Sequence, residues 1–331
     1  MPAWWLPGAH AQTVGARLTR ARRGVTLTRE RLDLPDGDFV DLDWAGRRED
    51  ALVLVLHGLE GSARSKYALE IYRQLAHRGV AAVGLNFRSC SGELNRGRRL
   101  YHSGETEDTR YVLRVLRERF PDRPIGAVGV SLGGNVLLKY LGEEGRRVGV
   151  GAGGSGAIPV AAAVLSVPYD LSAGADYLER GFARVYARRL LRSLKVKVRA
   201  RADELGSLLD VPRALAARTF WEFDDAATAP LHGFASAEEY YRRSSSKQFL
   251  ADIAIPTRLI HATDDPFLPA TALPYDAIRA NSLLDAHITD RGGHVGFVTG
   301  HPWSRRYWGE EMAVIFVSSH LTASLGAQHG S

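Results

Sequence analysis

The amino-acid sequence predicts an α/β protein with a mostly parallel, doubly wound sheet, and two observations support this prediction. Continuous apolar runs such as Ala51–Leu56 and Val160–Val167 are typical of strands buried on both faces, which occur in parallel sheets. Stretches with helical spacing alternate with these runs across short connections, as in right-handed β-α-β units. The length of 331 residues allows one large core, so we expect a single domain over residues 1–331.

The pattern assigns each element in turn. Residues 25–44 alternate apolar and polar side chains around Pro35-Asp36-Gly37-Asp38, which predicts an N-terminal antiparallel hairpin. The predicted parallel strands are Ala51–Leu56, Val80–Phe87, Ile125–Val130, Val160–Val167, Thr257–Ala262 and a last strand near Asp285–Thr289. The predicted helices are Lys66–His77, Glu105–Phe120, Leu132–Leu141, one near Ala272–Asn281, and Trp308–Leu321. The glycine-rich segment 148–158 is expected to form an extra loop.

The alternation stops at about residue 171 and resumes after residue 251, and the stretch between shows only helical patterns. We therefore expect a helical cap inserted over the sheet. The cap holds eight basic residues: Arg184, Arg188, Arg189, Arg192, Lys195, Lys197, Arg199 and Arg201. They suggest either peripheral contact with anionic lipid or a solvated helix face that forms salt bridges to Asp203 and Glu204 or to acidic residues elsewhere.

Composition and motifs argue against several classes of function. Lys and Arg total 43 and Asp and Glu total 37, so the net charge is +6, but no nucleic-acid-binding module accompanies it. A single cysteine, Cys90, excludes a disulfide framework and a cysteine-rich zinc site. No zinc-protease motif and no dinucleotide fingerprint occurs, so we expect neither a metal nor a cofactor. No signal peptide is recognisable at the N-terminus, which favours a cytoplasmic location.

The sharpest motif is Gly129-Val130-Ser131-Leu132-Gly133, between a predicted strand and a predicted helix. This context is that of a nucleophile elbow, in which a tight turn lifts the serine above the carboxyl edge of the sheet. The helix that follows directs N–H groups and positive dipole towards negative charge that develops nearby. Ser131 is therefore the candidate nucleophile.

A serine nucleophile needs a base that an acid orients, and both follow along the chain in the order expected for this elbow. His294 lies on a glycine-rich loop after the last predicted strand. Asp264 and Asp265 both follow the strand Thr257–Ala262. Asp265 is favoured because it begins the spacing Asp-x-x-Leu-Pro, but Asp264 stays an alternative, and either carboxylate could instead cap a helix.

The loop after the first parallel strand, His57-Gly58-Leu59-Glu60-Gly61, is where such sheets provide an oxyanion-hole N–H group. We assign the two donors to the backbone of Leu59 and Leu132. His57 is expected to be a structural hydrogen-bonding residue, and Cys90 a packed residue without a base beside it.

Several motifs occur together in one order, and they resemble the YheT-like branch of the α/β-hydrolases, which includes the eukaryotic ABHD1/ABHD3-type proteins. The resemblance covers nearly the whole chain. The segments that carry it are Trp5–Thr13, His57–Ser62, Asn86–Glu93, Tyr101–Thr106, Gly129–Asn135, Phe223–Asp225, Ala229–Phe234 and Asp264–Phe267. Ser89 is a departure, because the branch leads us to expect glycine at this position.

The resemblance implies an α/β-hydrolase fold with Ser131, Asp265 and His294 as the catalytic residues. It also implies a carboxylic-ester hydrolase for small-molecule substrates, either short- or medium-chain acyl esters or acylglycerols. A thioesterase or amidase on the same three residues is an alternative activity. A non-catalytic binding protein that retains the fold is the alternative from another class, because fold alone does not establish function.

Overall fold

An eight-stranded sheet runs through the computed structural model, which describes residues 2–22, 24–47, 51–149 and 158–329. Its strands are β1 (Thr28–Asp33), β2 (Phe39–Ala45), β3 (Leu52–Leu56), β4 (Ala81–Asn86), β5 (Ile125–Val130), β6 (Ala162–Leu165), β7 (Thr257–Ala262) and β8 (Leu284–Thr289). The spatial order is β1-β2-β4-β3-β5-β6-β7-β8. Strands β1, β2 and β4 pair antiparallel, and all other neighbours are parallel. The predicted N-terminal hairpin on a mostly parallel sheet is confirmed.

Thirteen α-helices accompany the strands in the described part of the chain. They are α1 (Gly8–Thr19), α2 (Lys66–Ala76), α3 (Glu107–Arg119), α4 (Leu132–Gly149), α5 (Leu171–Leu178), α6 (Ala183–Ala200), α7 (Ala202–Leu205), α8 (Val211–Ala216), α9 (Phe220–Phe223), α10 (Ala229–Leu231), α11 (Ala237–Ser244), α12 (Tyr275–Ala280) and α13 (Trp308–His329). Within the described ranges, none of them combines the length and the apolar character that a membrane crossing requires.

The core has two layers because successive side chains of a strand point to opposite faces of the sheet. Leu54 and Leu56 of β3 pack with α3 and α4 on one face. Val53 and Val55 pack with α2 and α13 on the other. Full burial of an apolar side chain of this kind stabilises the folded protein by about 1.5–3 kcal/mol relative to an exposed one. The continuous apolar run therefore reflects burial on both faces.

Several boundaries differ from the prediction. Helix α4 continues to Gly149 instead of ending at Leu141, and β6 is shorter than the apolar run around it. The predicted helix near 272–281 is a 3-10 turn at Ala270–Ala272 followed by α12. Pro274 explains this break, because proline lacks an N–H group and favours extended backbone in the residue before it. Of the predicted glycine-rich loop, residues 150–157 lie outside the described residues.

Two elements have no counterpart in the sequence prediction: helix α1 and a hairpin of β9 (Val298–His301) and β10 (Ser304–Tyr307). They pack against each other. The Gln12 side chain accepts a hydrogen bond from the Val298 N–H at 2.8 Å and donates to the Val298 carbonyl at 3.3 Å. Ala16 is buried beside Val298 and Tyr307. Helix α1 thus fixes the chain just after His294.

Helices α5 to α11 form the insertion between β6 and β7, and residues 171–252, all of them described, contain no strand. The insertion has an apolar cluster of its own, which includes Leu191 and Phe223. Leu59 and Phe267, which follow β3 and β7, also pack against this cluster. The insertion therefore covers the carboxyl edge of the sheet. The assignment of residues 1–331 to a single domain stays a prediction.

Asp224 links two parts of the insertion and is buried. It accepts hydrogen bonds from the Thr228 hydroxyl at 2.5 Å and the Tyr241 hydroxyl at 2.6 Å. Burial raises the pKa of Asp224 from its usual 3.8 to about 6, because desolvation outweighs both hydrogen bonds. A carboxyl whose pKa is raised on folding stabilises the native state below its unfolded pKa, and this contribution is lost as the pH rises through about 6.

We expect Asp224→Asn to raise the free energy of unfolding by up to about 3 kcal/mol at pH 8, and to change it little at pH 4. The amide keeps an acceptor oxygen but has no charge to desolvate. Urea unfolding of both proteins at the two pH values measures the difference. Asp225→Asn is the matched control, because Asp225 pairs with Arg213 at the surface. A pH-independent effect of Asp224→Asn would contradict the prediction.

Candidate active site

Ser131 lies in the turn between β5 and α4. Its φ angle is 54°, a left-handed value that is uncommon for a residue with a side chain. Its N–H group donates to the Leu165 carbonyl at 2.8 Å, which holds the turn against β6. A Cβ atom at Gly129 or Gly133 would lie 2.6 Å or 2.5 Å from other backbone atoms. Only glycine fits at these two positions, because Gly129 lies against the start of α4 and Gly133 lies against the end of β3, and these two close approaches explain the G-x-S-x-G spacing.

The three predicted side chains form a hydrogen-bonded series. The Nε2 atom of His294 is 2.9 Å from the Ser131 hydroxyl oxygen. Its Nδ1 atom is 2.9 Å and 3.1 Å from the two carboxylate oxygens of Asp265. A carboxylate only accepts, so Nδ1 carries the proton and Nε2 is left to accept from Ser131. The ring of Phe267 stacks on the imidazole with centroids 3.9 Å apart, which restricts its orientation.

The two adjacent aspartates have different partners. Asp265 is buried and bonds the imidazole, and it also accepts from the Phe267 N–H at 2.8 Å. The Asp264 carboxylate instead accepts from the N–H groups of Gly292 at 2.9 Å and Gly293 at 2.8 Å. Asp264 thus holds the backbone of the histidine loop, and Asp265 holds the ring. The geometry favours Asp265 as the acid of the series.

Two further residues position the histidine loop, and the sequence prediction did not include them as site residues. The His294 N–H donates to the Thr13 hydroxyl oxygen at 2.9 Å, and the Val295 N–H donates to the Ser166 hydroxyl oxygen at 2.9 Å. Thr13 lies in one of the segments that carry the resemblance, but 281 positions from its partner. Ser166 directly follows β6 at the carboxyl edge of the sheet, which is the signal that could have found it.

We expect Thr13→Val to lower kcat for a p-nitrophenyl ester by about tenfold and to leave KM nearly unchanged. Valine keeps the shape of threonine but leaves the His294 N–H without its acceptor, which costs about 1–3 kcal/mol. Thr19→Val is the matched control on the same helix, since the Thr19 hydroxyl bonds to Gly15 and Tyr307. Equal effects of the two substitutions would contradict a positioning role for Thr13.

The loop after β3 presents one N–H group beside Ser131. The Gly58 N–H donates to the Tyr67 hydroxyl at 2.8 Å, and the Glu60 N–H donates to the Tyr101 hydroxyl at 2.8 Å. The Leu59 N–H between them has no partner among the described residues. The loop lies against the elbow, because a Cβ on Gly58 would be 3.1 Å from that of Ser131.

The Leu132 N–H is the first of α4 and likewise has no partner within the described ranges. Helix starts leave such N–H groups without an intrahelical acceptor. Leu59 and Leu132, on the two segments next to the serine, each leave an N–H group unbonded, so the assignment of the oxyanion donors to these two residues stays a prediction.

Comparison with known proteins identifies the family of the chain. Residues 51–300 match the family described as alpha/beta hydrolase fold. The chain belongs to the α/β-hydrolase fold family. It is 40% identical to the protein named "Putative esterase YheT" of Escherichia coli strain K12, over 98% of this chain and 94% of that protein. The predicted fold and the YheT-like branch are thereby confirmed.

More distant relatives extend the comparison. The hydrolase is 28% identical to mouse (Mus musculus) Phospholipase ABHD3, over 92% of this chain and 74% of that protein. Among solved structures, it resembles the Pyrococcus furiosus esterase Pf2001 with a TM-score of 0.58. That likeness covers 90% of this chain and 91% of the esterase at 17% identity, so it bears on the fold alone.

The cap helix α6 contacts the loop after β3 of the hydrolase through Glu60. The Lys197 ammonium group is 2.6 Å from the Glu60 carboxylate, and the Ser193 hydroxyl donates to the same group. The Tyr101 hydroxyl also donates to it at 2.7 Å. The Lys197–Glu60 ion pair is nearly buried. Removal of one partner of a buried ion pair typically lowers the stability of the folded protein by about 3–5 kcal/mol. This contact, which the sequence did not predict, fixes the backbone on the C-terminal side of Leu59.

Two other reactive side chains near the site have structural roles. Burial raises the pKa of the Cys90 thiol to about 11, so the thiol is protonated at neutral pH and is not a nucleophile. Burial lowers the pKa of His57 to about 4, so its ring is neutral. Nδ1 of His57 donates to the Gly58 carbonyl at 2.8 Å, and Nε2 accepts from the Phe87 N–H at 3.2 Å.

Proposed function

We propose that this hydrolase is a serine esterase that cleaves carboxylic esters through an acyl-enzyme on Ser131. The observation that carries the proposal is the continuous series from Asp265 through His294 to Ser131, with 2.9 Å at both links. A binding protein has no need of a serine held in a strained turn against an imidazole.

The proton transfers follow from the tautomer. Nε2 of His294 accepts the Ser131 proton as the hydroxyl oxygen attacks the ester carbonyl carbon. The negative charge that forms on the carbonyl oxygen is stabilised by the Leu59 and Leu132 N–H groups. The imidazolium, stabilised by Asp265, then protonates the leaving alcohol. Water repeats the sequence on the acyl-enzyme, with His294 again as the base, and releases the carboxylic acid.

We infer that the substrates are short- or medium-chain acyl esters or acylglycerols. The relatives named as an esterase and a phospholipase support ester chemistry. The apolar side chains Leu59 and Phe267, between the site and the cap, favour an acyl chain over a polar group. A cytoplasmic location stays a prediction.

A fluorophosphonate probe tests the proposal, because it phosphonylates an activated serine. We expect one labelled peptide, containing Ser131, and no labelling of Ser131→Ala. A panel of p-nitrophenyl esters from two to twelve carbons, an acyl thioester and an anilide then ranks the substrates. Labelling at another serine, or none, would refute the assignment of Ser131. A strong preference for the thioester or the anilide would replace the esterase by a thioesterase or an amidase.

A further inference from the structure

Helix α6 of the cap has an unusual composition on its exposed side. Its 18 residues include seven Arg or Lys and no Asp or Glu. Ala183, Ala187, Leu191 and Val198 are buried in the cap. The opposite side, here named the α6 outer face, consists of Arg184, Val185, Arg188, Arg189, Arg192, Lys195, Val196 and Arg199. The face therefore carries only cationic and apolar side chains.

Few of the cations of this face have an acidic neighbour: Glu179 lies near Arg184, and Glu222 lies near Lys195, whose ammonium group also donates to the Ala217 carbonyl. Of the eight basic residues between 184 and 201, Lys197 pairs with Glu60 and Arg201 pairs with Glu204. The other six form no ion pair within the part of the chain that the structure describes. Of the salt bridges to Asp203, Glu204 or elsewhere that the alternative expects, the described residues show those of Arg201 and Lys197 alone. Unpaired charges of one sign produce a positive potential that attracts anions.

A groove of about 660 Å³ runs along the same face. Arg184, Arg188, Arg192, Lys195 and Arg199 line one side of it, and Arg218 lines the other. Glu179 is the single acid among the lining residues. The groove has an excess of five positive charges, because six cations stand against one carboxylate.

Exposed apolar side chains accompany the cations. Val185 is 50% exposed, Val196 is 55% exposed, and Phe182, just before the helix, is 52% exposed. A helix that presents basic and bulky apolar side chains together is typical of elements that lie in a membrane interface. A soluble polyanion or a nucleic acid would use the cations but would gain nothing from these apolar side chains.

The face also connects to the catalytic residues through a row of aromatic rings. The Phe182 ring contacts that of Tyr186, with centroids 5.7 Å apart, and Tyr186 stacks on Phe267 at 5.1 Å. Phe267 in turn stacks on His294 at 3.9 Å. Direct ring contacts thus link Phe182, beside the α6 outer face, to His294.

We propose that the α6 outer face docks the hydrolase on bilayers that contain anionic phospholipids. The cations contact the lipid phosphates, and Val185, Val196 and Phe182 enter the interface beside them. Docking depends on charge and exposed apolar area, not on ester hydrolysis, so the proposal does not require the catalytic assignment to be correct.

Vesicle co-sedimentation tests docking with the full chain. We expect binding to vesicles that contain phosphatidylglycerol, weak binding to pure phosphatidylcholine, and release as salt rises from 50 to 500 mM. Each basic residue near an anionic surface contributes roughly fivefold to partitioning. The triple substitution Arg184→Glu, Arg188→Glu, Arg192→Glu should therefore lower binding by at least about a hundredfold. Val185→Ser with Val196→Ser should remove the part of the binding that resists salt.

The control makes the same charge change elsewhere. Arg78→Glu, Arg114→Glu and Arg279→Glu alter three exposed arginines outside the cap and should leave binding within about threefold. Ser131→Ala should bind like the parent protein. Circular dichroism and hydrolysis of p-nitrophenyl butyrate verify that the triple variants are folded.

Two outcomes would overturn the proposal. Equal losses of vesicle binding in both triple variants would show that the net charge of the protein, and not the α6 outer face, causes the binding. Binding of glycerol 1-phosphate or a DNA duplex with no preference for vesicles would overturn it in favour of a soluble anion.

Discussion

Ser131→Ala should lower kcat/KM for p-nitrophenyl butyrate by at least about 10⁵-fold, the largest effect expected of any single substitution in this chain. The serine is the only member of the series that would form a covalent bond, so His294 and Asp265 cannot act without it. What remains should be the modest rate increase that the unbonded N–H groups of Leu59 and Leu132 give to direct attack by water. Steady-state kinetics with burst titration of the parent enzyme measure the loss per active site.

Ser166→Ala is the informative comparison. Ser166 is a buried serine at the end of the neighbouring strand, and it shares with Ser131 a left-handed φ, here 50°. Its hydroxyl accepts from the backbone next to His294 and does not reach the imidazole nitrogens. Its loss should cost about tenfold through a looser loop. If Ser131→Ala kept activity within tenfold of the parent, or Ser166→Ala lost more, the nucleophile would be misassigned.

The parts of the fold that the sequence predicted are those whose pattern is local. Val53 to Leu56 alternate between two buried faces, so the run has no polar residue, and this feature is visible without any knowledge of the partners. Helix α1 could not be predicted in this way. It forms because Gln12 bonds Val298, 286 positions away, and because Ala16 packs on the same hairpin. Tertiary contacts of this kind outweigh local propensity.

The residues of the candidate site also form two groups, those that the sequence predicted and those that it did not. Ser131, His294 and the two candidate acids each follow a strand of a parallel sheet, and strand ends meet at one edge. Position after a strand was therefore enough to point to Ser131 and His294, but it left Asp264 and Asp265 both open as the acid. The sequence pattern did not identify the residues that position these side chains. Thr13 and Lys197 reach the site from α1 and from the cap, and no spacing within the sequence relates them to His294 or Glu60.

Ser89 shows how a resemblance can carry physical information. The YheT-like branch led us to expect glycine there, and the residue has a φ of 62°, which glycine adopts without strain. Serine is accommodated because its hydroxyl oxygen accepts from the Asn95 N–H at 3.1 Å and its proton goes to the Asn95 side chain. Short polar side chains that bond locally are those best tolerated in this region. The glycine expected at this position therefore reflects its left-handed backbone conformation.

Asp265→Asn should lower kcat for p-nitrophenyl butyrate by about 10³–10⁴-fold with little change in KM. The amide has nearly the same shape, but it can donate to Nδ1, which favours the tautomer that places the proton on Nε2. Ser131 then has no acceptor for its proton, and the imidazolium loses the carboxylate that stabilises it. Stopped-flow measurement of acylation separates this step from release of the acid.

Asp264→Asn is the matched control for that substitution, because it makes the same chemical change one residue earlier. The asparagine oxygen can still accept from the Gly292 and Gly293 N–H groups, as the carboxylate does at 2.9 Å and 2.8 Å. Only the charge is lost, and it faces backbone and not the ring, so the rate should fall by no more than about tenfold. The pair distinguishes the two carboxylates that the sequence left open: a larger loss in Asp264→Asn would reverse their roles. A loss of thermal stability in Asp264→Asn alone would still agree with its contacts, because those contacts hold the histidine loop and leave the chemistry to Asp265.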